Sequence, residues 1–104
     1  MEIKILWTDE AIARLKDIFD YYCEEATFKI AEKLVNEIVD YAEILITKPE
    51  LGALEEQLKG RKRKYHYLVC KNNKIIYWKE KNIIFIASVF DTRRNPKKIK
   101  KGLK

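Results

Sequence analysis

The sequence predicts an α+β fold: a four-stranded, twisted, mainly antiparallel sheet with an N-terminal pair of helices packed on one face, in the order β-α-α-β-β-β. Three observations predict it. Apolar residues recur at helical spacing between residues 8 and 47. The period changes to strand-like alternation after Lys64. Pro49, Gly52 and Gly60 all fall in the segment between the two regimes. At 104 residues the chain reads as one domain over 1–104. A chain of this size buries about 65% of the surface its unfolded form exposes.

The elements follow in order. Glu2-Ile3-Lys4-Ile5-Leu6-Trp7 alternates, as a short strand does. Thr8 then stands where a helix cap belongs, with Asp9 and Glu10 in the first turn, where the helix dipole favours acids. Ala11, Leu15, Ile18, Phe19 and Tyr22 form the first apolar stripe. The pattern weakens over 24–27, and Thr27 supplies a second cap. Ala31, Leu34, Val35, Ile38, Ala42 and Leu45 give a second stripe to about Thr47, ended by Pro49. Two helices joined so closely predict an antiparallel hairpin.

Residues 48–62 read as a loop. Tyr65, Tyr67 and Val69 then alternate with His66, Leu68 and Cys70. Asn72-Asn73 suits the positive φ angles of a tight hairpin turn, and Ile75-Ile76-Tyr77-Trp78 is the returning strand. Lys81-Asn82 turns the chain again. Ile83 to Phe90 is nearly all apolar, as a central strand buried on both faces requires, and Pro96 stops any ladder beyond it. The sheet face away from the helices is expected to lie open between a basic loop and a basic tail.

Composition narrows the function classes. Apolar residues at 47% and charged residues at 37% exclude low complexity and disorder. No apolar run approaches the ~20 residues that span a bilayer. Asp9 and Glu10 interrupt the stretch a signal peptide would need, so a cytoplasmic protein with no membrane partner is expected. Cys23 and Cys70 match no zinc or redox spacing, and His66 is the single histidine. We therefore expect no metal and no cofactor, and two reduced cysteines used in packing.

The net charge of +6 conceals a division. Residues 1–58 hold 6 Lys/Arg and 14 Asp/Glu, a net of −8. Residues 59–104 hold 16 Lys/Arg with only Glu80 and Asp91, a net of +14. Lys59, Arg61, Lys62, Arg63 and Lys64 form one cluster, and the tail from Arg93 onward, with Lys97 and Lys98, forms another. Such asymmetry predicts contact with a polyanion, either nucleic acid or an acidic protein segment.

Metal-free RNA cleavage needs a base for the 2′-OH, a cation for the phosphorane and an acid for the leaving oxygen. Base candidates in or beside the basic half are Glu55, Glu56 and His66, the last of the residue type best suited to proton transfer near neutral pH. Arg93 and Arg94 are cation candidates. Tyr65, Tyr67, Tyr77 and Trp78 suit either base stacking or sheet packing.

At these residues the chain resembles the RelE/ParE superfamily of type II toxin–antitoxin toxins. The resemblance rests on Trp7-Thr8 before the first helix, Lys48-Pro49-Glu50-Leu51-Gly52, Glu56-Gln57-Leu58-Lys59-Gly60, Tyr65-His66-Tyr67-Leu68-Val69, Lys74-Ile75-Ile76-Tyr77 and, above all, Val89-Phe90-Asp91-Thr92-Arg93-Arg94-Asn95-Pro96. It implies a bacterial toxin neutralised by a cognate antitoxin. It further implies either a metal-independent, ribosome-dependent mRNA endoribonuclease, a non-enzymatic inhibitor of DNA gyrase, or an inactive nucleic-acid-binding relative. In the nuclease form, Arg93 or Arg94 corresponds to the phosphate-stabilising arginine. Glu56 then resembles the general base of the YoeB-like branch, the ribosome and its mRNA are the partners, and Lys59, Arg61, Lys62, Arg63, Lys64, Lys97 and Lys98 are the expected RNA-binding cations. His66 falls where most relatives carry arginine, and 97–104 holds neither the tyrosine nor the histidine frequent in RelE-like enzymes. Both departures raise the ParE-like form as the alternative, while the endoribonuclease stays the first expectation.

Overall fold

The computed structural model describes residues 2–93. Its elements are β1 (Lys4–Trp7), α1 (Asp9–Glu25), α2 (Phe28–Ala42), α3 (Ile44–Thr47), β2 (Ala53–Leu54), β3 (His66–Cys70), β4 (Asn73–Glu80) and β5 (Ile83–Asp91), with a 3-10 turn at Glu56–Leu58. The sheet runs β1-β5-β4-β3-β2. β1 lies parallel to β5, with Lys4 opposite Ile83 and Trp7 opposite Ile86, and every other pairing is antiparallel.

Both predicted caps form. The Thr8 hydroxyl accepts from the Ala11 N–H at 3.2 Å and donates to the Ile86 carbonyl at 2.7 Å. One side chain thus starts α1 and ties it to β5. Thr27 Oγ1 accepts from the Ile30 N–H at 3.1 Å, and the few residues between the helices fold them back as a hairpin. Their stripes bury Ala11, Ile18, Ile38, Ala42 and Leu45 against Leu68, Ile75, Tyr77, Ile84, Ile86 and Val89 of the sheet. The second stripe breaks at Glu43, so its last turn is the separate α3.

Three expectations need correction. The sheet has five strands rather than four, because Ala53 and Leu54 pair with Tyr67 and His66 inside the segment expected to be loop. The hairpin turn is displaced by one residue: Lys71 carries the positive φ of 57°, and Asn73 already belongs to β4, paired with Cys70. The face opposite the helices is not open. Leu58 and Tyr65, from the connection between β2 and β3, pack there on Ile76, Trp78 and Ala87 as a second apolar cluster. The physical reason is shared: β4 and β5 are buried on both sides, and apolar surface on the second face needs a cover too.

A bulge sharpens the twist. Ile76 pairs with Ser88 but Tyr77 pairs with Ile86, leaving Ala87 as the extra residue of β5. Among the described residues, no helix is long and apolar enough to cross a membrane.

Candidate functional site

Arg93 stands two residues past the end of β5, on the side of the helices. Its Nε donates to Asp91 Oδ1 at 3.0 Å and its Nη2 to Asp91 Oδ2 at 2.7 Å, a bidentate pair. Nη2 also donates to the Tyr22 hydroxyl of α1 at 2.7 Å. The Arg93 backbone N–H adds a third bond to Asp91, at 2.8 Å. The carboxylate raises the guanidinium pKa still further, first through these hydrogen bonds and then through its charge. The group expected to hold two phosphate oxygens already holds two carboxylate oxygens.

His66 begins β3 at the other end of the sheet. Its ring stacks on Tyr77 of β4, centroids 5.9 Å apart at 28°. The two line a cleft with Pro49, Glu50, Lys64 and Lys79. The Tyr77 hydroxyl accepts from the Gly52 N–H at 3.0 Å, which fastens the segment after α3 to the sheet. Burial pushes the Tyr77 phenol above its ordinary pKa, and the Gly52 bond offsets part of that rise.

Glu56 is exposed at the first position of the 3-10 turn, whereas Glu55 is 2% exposed. Glu55 Oε2 accepts from Lys74 Nζ at 2.9 Å, and Lys74 lies 4.2 Å over the Tyr67 ring. This carboxylate–ammonium–aromatic stack sits on the second face, behind the turn.

The basic segment 59–64 is exposed throughout. Its base is closed by the Glu55 N–H bonded to the Tyr65 carbonyl at 2.9 Å. Gly60 takes φ 88°, an angle that glycine adopts without strain. Arg63 turns back onto the sheet, its guanidinium 4.2 Å over the Trp78 ring and 3.7 Å from Glu80. Trp78 donates to the same Glu80 at 2.9 Å and stacks on Phe85 at 4.7 Å.

The structure therefore does not bring Glu56, His66 and Arg93 together. His66 pairs with Tyr77 and Asp91 pairs with Asn73, four residues apart on β4. At about 3.3 Å per residue that is about 13 Å of strand, with Arg93 farther out still. Glu56 belongs to the turn that covers the opposite face. Tyr65, Tyr77 and Trp78 are packed rather than presented for stacking, at 8% exposure or less. Arg94, Lys97 and Lys98 lie outside the described residues. Among the described residues, no group of three or more His, Cys, Asp or Glu is placed to hold a metal ion.

The family model described as ParE toxin of type II toxin–antitoxin system, parDE, matches residues 5–96. The chain belongs to the ParE toxin family. As a family member it is a toxin of the type II toxin–antitoxin class, and the match runs from within β1 past the end of β5. The fold is also that of a solved chain titled "Chromosomal ParDE TA system from P. aeruginosa", with a TM-score of 0.73 and 21% identity, covering 86% of this chain and 96% of that one. No curated protein matches the chain.

Within this ParE fold, the sequence reading missed Asp91 and Tyr22 as partners of Arg93, and Lys74 as the partner of Glu55. Asp91 carried a signal: an acid two residues before an arginine at a strand end shares its face. Tyr22 and Lys74 meet their partners only through tertiary packing.

Proposed function

We propose that this ParE-family toxin is neutralised by a cognate antitoxin and inhibits DNA gyrase by binding, without cutting RNA. The observation that carries this reading is the dispersal of the three groups a metal-free nuclease would need. A single phosphate cannot meet a base, an acid and a stabilising cation that occupy two faces and two ends of a sheet. The engagement of Arg93 by Asp91 works in the same direction. A binding toxin needs no convergent set; it needs a rigid shape, and the two-sided core supplies one. The basic half suits targets that work on nucleic acid.

Two assays side by side test the reading. The purified chain, added to gyrase with relaxed plasmid, is expected to abolish supercoiling at stoichiometric levels. Ribosomes programmed with mRNA and treated with the same preparation are expected to show no new cleavage within the A-site codon by toeprinting. Codon-specific cuts with intact supercoiling would reverse the conclusion and return the site to a nuclease.

A further inference from the structure

We infer that the loop 59–64 contacts the phosphate backbone of duplex DNA, with Lys59, Arg61, Lys62 and Lys64 as the contacting cations and Arg63 as the residue that fixes the loop. Four features of the loop support this. Five of its six residues are cationic and all six are exposed. Arg63 turns its guanidinium onto the Trp78 ring and toward Glu80 of the sheet, which assigns it to anchoring. The loop is held in shape at its ends, where Leu58 and Tyr65 are each 2% exposed and the Glu55–Tyr65 backbone bond closes the neck. A cation array ordered before binding loses less conformational entropy on meeting a polyanion.

The choice among polyanions follows from what the loop lacks. It presents no apolar side chain, and protein partners draw most of their binding energy from buried apolar and aromatic anchors. The exposed apolar residues lie elsewhere, with Ile12, Phe28 and Ile30 on the helices at 50% exposure or more. Single-stranded RNA is recognised by stacking on open aromatic rings. The rings nearest the loop are taken: Trp78 lies between Arg63 and Phe85, and Tyr65 packs edge-on against Trp78. Backbone charge alone remains to be read, and it is densest along a duplex.

This goes beyond the proposed target and does not depend on it, because the test contains only protein and nucleic acid. Binding of the full chain to a fluorescein-labelled 20-base-pair DNA duplex is followed by anisotropy between 50 and 200 mM salt. Each phosphate neutralised contributes about −0.9 to the slope of log K against log salt. Replacing all four cations (Lys59→Gln, Arg61→Gln, Lys62→Gln, Lys64→Gln) should therefore reduce the slope by three to four units, about 150-fold of the affinity lost over that salt range. That decrement belongs to the loop whatever other cations of the chain contribute. The single variants Lys62→Gln and Lys64→Gln should each remove about one unit, which preserves the test if the fourfold variant folds poorly. Lys29→Gln with Lys33→Gln, on α2, should leave the slope unchanged. An unaltered slope in the loop variants overturns the proposal. So does tenfold tighter binding of a single-stranded RNA of equal length, or of a polyglutamate peptide. A negative result here leaves the supercoiling prediction standing, and a negative supercoiling result leaves this one standing.

Discussion

At Gly52 backbone and side chain approach closely. A Cβ built there would run into the Tyr77 hydroxyl, sit 2.7 Å from Tyr77 Cε1 and 2.8 Å from the Tyr67 carbonyl oxygen. Two of those atoms belong to a ring that is 2% exposed and the third to β3 backbone, so neither side yields cheaply. Gly52→Ala is expected to cost about 1–3 kcal/mol, the range for overpacking, measured by urea unfolding. Tyr77→Phe removes the acceptor for the Gly52 N–H and should cost about 1 kcal/mol. It also removes the nearest obstacle. Gly52→Ala should therefore cost less in the Tyr77→Phe background than alone, and strict additivity of the two would show that the ring and the glycine do not meet. Arg93 shows the same dependence of role on neighbours. Its residue type is right for a phosphate, but a carboxylate two positions away meets it in bidentate geometry and holds the end of β5 to α1.

Among the elements, the turn after β2 accounts for the closed second face. It is anchored by Leu58 and by the Glu55–Lys74 pair, in which the carboxylate is 2% and the amine 20% exposed. Removing one partner of such a pair leaves a buried charge, whereas removing both leaves packing intact. Lys74→Met is expected to destabilise the protein by about 3 kcal/mol, and Lys74→Met with Glu55→Leu to recover most of that loss in thermal and urea unfolding. A double variant no more stable than the single one would show that the pair is not what holds the turn. The helices and the long strands were legible from the sequence because each is set by its own pattern: caps at Thr8 and Thr27, a stripe every three to four residues, an apolar run from Ile83. The short β2 was not, because two residues cannot show a period and Ala53-Leu54 is a strand only because β3 pairs with it. The turn at Lys71 escaped for a related reason. Two asparagines favour positive φ by type, but the register of Cys70 on Asn73 decides where it falls. In the candidate site, residue type picked out Glu55, Glu56, His66 and Arg93, yet convergence is a property of the sheet's two faces and its length. Nothing local distinguishes the buried Glu55 from the exposed Glu56 beside it.

At the scale of the whole molecule, the charge division maps onto the architecture. The −8 half is β1, the helices and β2, and the +14 half begins at the basic loop and includes the three long strands. Such a molecule responds to pH through both its surface and its interior, and the two responses have opposite sign above neutrality. Loss of positive charge from the surface at high pH reduces the repulsion within the positive half. Interior groups act the other way. The Cys70 thiol is raised above its ordinary 9.0, by burial first and then by Glu37, with Lys71 opposing. The Tyr77 phenol is raised above 10.0, again by burial first. In the unfolded chain both ionise at their ordinary values, so above about pH 9 the native state binds more protons than the unfolded state. Stability from these groups is then fully present at neutral pH and falls as pH rises, by at most about 1.4 kcal/mol per pH unit for each group. The opposing surface effect is common to wild type and variants, so the difference between them isolates the interior. Urea unfolding at pH 7.5, 9, 10 and 10.5 should show wild type losing its advantage over Cys70→Val first, between pH 9 and 10. The advantage over Tyr77→Phe should shrink only above pH 10. Differences that stay constant to pH 10.5 would mean that neither group is held protonated by the fold.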